Sequence, residues 1–183
     1  MKFAQLILLI LAFLIIKPAS AGVLIEPVLG YSAGKFEIDN DAFDEEKFAG
    51  PSIGGRLGYQ NLGLQLGVDY LQSTLDVDDN DFKDLKTKEW AGFVGFEFPI
   101  LIRVYAGYIF SAEGKAEVND TDIKATGGTG PKFGVGFTGL PFVDINFEMR
   151  RSTFDEIKIG GTKLKDETTF SAYMISLSLP FVL

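Results

Sequence analysis

The sequence predicts an all-β protein, a single eight-stranded antiparallel up-and-down β-barrel whose apolar face points outward, following a cleavable leader. Three observations predict it. Apolar residues alternate with small or polar ones at the strand period of two, as in Leu62, Leu64, Leu66, Val68 and Tyr70 interleaved with Gly63, Gln65, Gly67 and Asp69. Connections between the alternating segments are tight and long by turns. Charges within the segments share one face with glycine and serine, and the apolar face runs uninterrupted as far as Arg151.

The first 21 residues are a separate object. Lys2, the apolar run from Leu6 to Ile16 and the small residues Ala19-Ser20-Ala21 read as an export signal cleaved after Ala21. The run is too short to span a bilayer comfortably, and Lys17-Pro18 breaks it. The organisation is therefore residues 1–21 as signal peptide and 22–183 as barrel. There is no Cys, hence no disulfide and no thiolate chemistry. The leader holds two of the 17 basic residues and none of the 25 acids, which leaves 15 bases against 25 acids, a charge of −10. That balance, with no basic stripe in the sequence, argues against nucleic acid as a partner.

The expected strands are Val23 to Ser32, Ser52 to Gln60, Leu62 to Leu71, Trp90 to Phe98, Ile102 to Ser111, Lys132 to Gly139, Val143 to Arg151 and Phe170 to Leu183. Each is near the length that a tilted strand needs to cross a bilayer. Gln60-Asn61, Pro99-Ile100-Leu101 and Gly139-Leu140-Pro141-Phe142 make tight turns. Phe36 to Gly50, Thr74 to Glu89, Ala112 to Gly130 and Thr153 to Thr169 are expected to be long polar loops, three of them carrying Asn-Asp turn formers. Pro27 and Pro131 fall inside strands, where a missing N–H breaks a ladder.

Composition decides which face is outside. A soluble barrel or sandwich would show the same alternation with its apolar side inward. Here the apolar side is large and aromatic, and the other carries Gly30, Gly54, Gly58, Gly63, Gly67, Gly95, Gly107, Gly134, Gly136, Ser176 and Ser178. Small residues suit a crowded eight-stranded interior better than a solvent face. Aromatics gather at both strand ends, with Tyr70, Trp90 and Phe110 toward the long loops and Tyr59, Phe98, Phe142 and Phe181 toward the tight turns. Two such belts are the girdles of a membrane barrel.

The inward face carries Glu26, Arg56, Asp69, Glu97, Arg103, Lys132, Asp144, Glu148 and Arg150, five acids against four bases. In a low-dielectric interior these are expected to pair as a salt-bridge network that plugs the lumen with Phe93 and Tyr105. The chain has no His, which removes a Ser-His-Asp triad and any His metal site. No cofactor is implied. Asp76-Val77-Asp78-Asp79-Asn80-Asp81 has the acid spacing of half a calcium loop but lacks its glycine and its closing glutamate, so no metal site is assigned. Lys35, Lys88 and Arg151 are placed to meet lipid phosphates at the loop-side interface.

On these residues the chain resembles the small outer-membrane barrel proteins of Gram-negative bacteria, those akin to outer-membrane proteins A, X and W. Its final strand, with Tyr173, Phe181 and Leu183, looks like the C-terminal signal read by the barrel-assembly machinery, although the family usually ends in Phe. The resemblance implies a monomeric multi-pass outer-membrane protein whose partners are membrane lipid, lipopolysaccharide and the assembly machinery. The barrel enzymes of similar architecture use a catalytic His, so no catalytic residue is assigned. The expected role is structural or surface-interacting, with loops bearing Phe36, Phe43, Phe48 and Phe82 offered to an extracellular protein. A narrow channel for small or apolar solutes, with a lateral opening near Gly92, Gly127, Gly128 or Pro131, is one alternative. A soluble periplasmic barrel with an apolar ligand inside is another.

Overall fold

The computed structural model describes residues 21–38, 46–77, 82–118, 121–159, 162–164 and 168–183. The expected export signal through Ser20, together with Phe43 and the acidic run 78–81, lies outside them. Eleven strand segments follow in order: β1 (Gly22–Ile38), β2 (Glu46–Asn61), β3 (Leu64–Val77), β4 (Phe82–Phe98), β5 (Ile102–Val118), β6 (Thr121–Phe137), β7 (Asp144–Phe154), β8 (Glu156–Ile159), β9 (Thr162–Leu164), β10 (Thr168–Ser178) and β11 (Phe181–Val182). Strands β7 and β8 are one stave interrupted at Asp155, and β10 and β11 are one interrupted at Leu179-Pro180. Sequential neighbours pair antiparallel, and β1 closes on β10 and β11, which makes a closed barrel of eight staves.

Proline sites explain where the ladders yield. Leu179 N donates to Pro27 O at 3.1 Å, and no return bond exists because Pro27 has no N–H. The β1–β2 ladder runs unbroken through Pro51, whereas β2–β3 pairing skips from Ala49↔Asp76 to Ser52↔Ser73. Pro131 repeats this, paired with Tyr108 on one side and skipped by the β6–β7 ladder on the other. Pro27, Pro51 and Pro131 all face outward. At the first tight turn the reversal falls on Leu62-Gly63, at φ of 50° and 84°, two residues later than the expected Gln60-Asn61. Positive φ at both positions suits the twist of a two-residue hairpin.

The strands are longer than the sequence suggests. β1, β4, β5 and β6 each run 17 residues, or about 56 Å at ~3.3 Å per residue. An apolar belt needs only about 25 Å. Much of what reads as long loop is therefore sheet standing above the belt. The outward face shows the boundary: Tyr31, Tyr70, Trp90, Phe110, Met149 and Tyr173 give way to Lys35, Gln72, Lys88, Glu113, Arg151 and Ser171. Below it Leu29, Ile53, Leu57, Leu66, Tyr108, Phe133 and Ile175 are exposed, with Leu66 at 64%. Strand β5 is bulged near Phe110, and β6 is bulged where Gly127 sits at φ 74°, so the inner row passes from Ile109 to Ala112.

The interior is stacked in layers along the barrel axis. Gln60 and Gln65, hydrogen-bonded at 2.9 Å, lie nearest the tight turns. Charged groups follow, then a thin apolar layer of Val28, Leu71 and Met174, then Ser32, Ser52 and Ser73, whose hydroxyls join in a row at 2.7 Å each. Phe48, Leu75, Ile109, Phe154 and Phe170 cap the stack at the loop end, with Phe48 and Phe170 stacked at 4.3 Å and Phe36 packed against them. Phe36 and Phe48 thus turn inward, against the expectation that they are displayed to the outside. Extending the sheet past the belt continues the alternation, and the next inward rows need an apolar core because water surrounds that part. Gly134 is required by close approach, since a Cβ there would strike the Tyr105 ring.

Two outcomes follow from this arrangement. Leu66→Arg should cost about 2–4 kcal/mol of unfolding free energy in lipid vesicles, as expected of a cation placed midway up a lipid-facing belt. Phe170→Ala should cost about 3–5 kcal/mol in the same denaturant titration, from the lost cap packing.

Candidate functional site

Period-two alternation delivers the charges to the lumen. Glu26, Arg56, Asp69, Arg103, Lys132, Asp144, Glu148 and Arg150 are all buried, each on an inward position of its strand. Arg103, 1% exposed, holds Glu26 with both terminal nitrogens, Nη1 to Oε2 at 3.0 Å and Nη2 to Oε1 at 2.7 Å. Its Nη2 also donates to Asn146 Oδ1 at 2.6 Å, and its Nη1 lies 3.6 Å from Asp144 Oδ2. Arg56 bridges two carboxylates, donating Nη1 to Glu26 at 3.2 Å and Nη2 to Glu148 at 3.1 Å.

Glu148 is the hub. Besides Arg56 it receives Arg150 Nε on Oε1 and faces Lys132 Nζ at 3.4 Å from Oε2. Lys132 also pairs with Asp69, and Arg150 Nη1 reaches Glu89 Oε2 at 2.8 Å. The pairs join into one connected network from Asp144 to Glu89. Tyr105 lies among the cations, its ring centroid 4.3 Å from the Arg56 guanidinium carbon and 5.7 Å from that of Arg103.

Two positions depart from the sequence reading. Glu97 is half-exposed at the turn-side mouth and makes no ion pair among the described residues; its backbone N–H donates to Gly63 O at 2.8 Å. Its place in the string is taken by Glu89, which the sequence reading left at the end of a loop. The signal for Glu89 was its parity, since Glu89, Ala91 and Phe93 occupy successive inward positions of β4. Asn146, which the sequence reading did not single out, joins the network to Ser178 through Nδ2 at 2.9 Å.

The network leaves little space. The cavity between Arg56, Asp69, Leu71, Arg150 and Met174 has about 10 Å³, room for about one water. Among the described residues no group of His, Cys, Asp or Glu is arranged to hold a metal ion. Glu26 and Glu148, the carboxylates best placed for acid–base chemistry, are fully engaged by cations. This interior is charged, opposite to the apolar chamber that a soluble ligand-binding barrel requires.

The girdle residues lie on the outer face in two tiers. Tyr70 and Trp90 meet across β3 and β4 at 4.8 Å between centroids, with Phe110 exposed in the same tier. Tyr59, Phe98, Phe142 and Phe181 are exposed toward the tight turns. In the last stave Tyr173, Phe181 and Leu183 all face outward, and Leu183 exchanges both backbone hydrogen bonds with Val23, at 2.9 and 3.0 Å.

No protein-family model matches the chain, and no curated protein matches it by sequence. Solved structures do match by fold. The Neisserial surface protein A is 17% identical with a TM-score of 0.56, covering 88% of this chain and 99% of its own. Ail, the attachment invasion locus protein of Yersinia pestis, is 15% identical with a TM-score of 0.59, covering 88% and 100%. A second Ail structure, in complex with the heparin analogue sucrose octasulfate, is 13% identical with a TM-score of 0.55, covering 87% and 99%. This chain has the closed eight-stranded fold of the small bacterial outer-membrane β-barrels.

Proposed function

We propose that the protein is an integral outer-membrane barrel with a structural or surface-interacting role, closed to solute flow. The observation that carries this reading is the pairing of a filled lumen with an apolar exterior. A lipid-facing belt has no use in a soluble protein, and a lumen closed by ionic groups and a phenylalanine cap has none in a wide pore. The N-terminal export signal and the outward-facing end of the last stave fit delivery through the barrel-assembly machinery. With no His in the chain and Glu26 and Glu148 held by cations, no enzymatic role is assigned.

Lys88 and Arg151 stand exposed one row above the aromatic tier, and Lys47, with the half-buried Lys35 opposite it, stands two rows above Tyr31. Their chemistry suits the phosphates of lipopolysaccharide in the outer leaflet, with which the membrane edge of the barrel would form its lipid contacts. The sheet above that edge is the surface available to partners outside the cell. The fold neighbours named as a surface protein and an attachment protein are in keeping with this setting.

The test is electrical. Reconstituted in planar bilayers, the wild-type barrel should show no large, stable conductance steps; steps of porin size would refute the closed lumen. Glu148→Gln strips the shared counter-charge from Arg56, Lys132 and Arg150 and should cost about 3–5 kcal/mol in vesicle unfolding. Glu97→Gln, outside the network, should change stability by under about 0.5 kcal/mol.

A further inference from the structure

Cross-strand register builds a feature above the belt that no segment of the sequence contains. Lys86 stands opposite Lys115, Lys115 opposite Lys124, Lys124 opposite Lys158 and Lys158 opposite Lys163. The five lie in one row across β4, β5, β6, β8 and β9. Their chain neighbours Thr87, Gly114, Ala125 and Ile157 turn inward, so the lysines share the outer face. Lys158 and Lys163 share Glu156, each at 2.9 Å. Lys86, Lys115 and Lys124 make no ion pair among the described residues.

Like charges directly opposite one another destabilise a sheet. The fold gains nothing from this row, and a ligand outside the fold would. Adjacent strands are ~4.8 Å apart, so five lysines span roughly 19 Å. The row is narrow. Glu113 and Glu156 border it on the membrane side. It also climbs. Lys86 is four residues from Trp90 at the top of the belt, and Lys158 is nine from Met149, about 13 Å and 30 Å of strand.

We propose that this row binds a linear acidic polysaccharide, laid along the lysines with about one anionic sugar ring per strand. An extended pyranose chain advances by about one strand spacing per ring. The acidic borders disfavour a flat anionic membrane and suit a thin polyanion. Lipid phosphates stay at the belt edge, well below Lys158 and Lys163. An exported chain with 15 bases against 25 acids, a net charge of −10, gives polyanions no general attraction, so capture depends on the local row. The proposal rests on reading these strands as surface-exposed, but its test does not depend on where the barrel resides.

The exported chain, refolded in neutral detergent without lipopolysaccharide, is titrated calorimetrically with hexagalacturonate at low ionic strength. Fully methyl-esterified hexamer serves as the neutral control. The acidic hexamer should bind and the ester should not. K86Q/K115Q/K124Q should weaken binding about tenfold or more, and K47Q/R151Q, which removes two charges at the membrane edge, by less than about twofold. K115Q alone, expected to lose about twofold, serves if the triple variant does not refold. No binding by the wild type overturns the proposal, as does equal weakening in the membrane-edge variant. Digalacturonate binding as tightly as the hexamer would overturn it too, as would row-dependent binding seen only with lipopolysaccharide micelles.

Discussion

Closure of the first stave on the last is the contact on which everything else depends. In hydrocarbon no water can satisfy a free N–H or C=O, so an open edge would leave a whole row of them unpaired. The seam is formed by β1 against β10 and β11, and it holds although Pro27 deletes one of its bonds. The paired bonds between Val23 and Leu183 fasten its end. Pro180 lies just past the point where β10 stops pairing with β7, after Ser178↔Asp144, so its missing N–H costs no ladder bond there. Each proline of the lipid-facing wall thus sits where a ladder already yields or loses a single bond.

Closing the sheet with eight staves fixes a narrow interior, and turning the apolar side outward forces the polar side into it. The charge network is the consequence. A buried ion is tolerated only with partners, and here Glu148 meets three cations and Glu26 meets two arginines. Small inward residues make the room: Gly134 lies against the Tyr105 ring, and that ring lies against Arg56. Above the belt the outside becomes water, and the same inward rows turn to phenylalanine, leucine and isoleucine. The change of solvent along one barrel is written in the change of its core.

Much of this was legible in the sequence because period two survives any error in strand ends. Leu66 and Arg103 are assigned opposite faces by parity alone, and so they lie. Strand length was not legible in the same way. Segments such as Leu85 to Glu89 and Ala112 to Ala116 carry enough charge and glycine to read as loop, yet they alternate and pair. For that reason the sequence leaves Glu89 in a loop and offers Glu97 in its place, because parity places a residue inward without saying how near the mouth it lies. Phe36 and Phe48 look like loop tips in the sequence for the same reason; in a continued strand they are core.

The lysine row shows a limit of a different kind. Lys86, Lys115, Lys124, Lys158 and Lys163 are scattered over 78 positions of an acidic chain, and no window of sequence holds more than a fragment of them. Register brings them together, and register here depends on the bulges near Phe110 and at Gly127. Each adds one residue, one on β5 and one on β6, and in the β5–β6 pairing the two cancel. Without the shift at Gly127, Lys115 would face a different residue of β6 and the row would break at its centre. A bulge is usually read as a local kink. In this barrel it also sets which charges meet on the outer face, far from the apolar belt that holds the molecule in place.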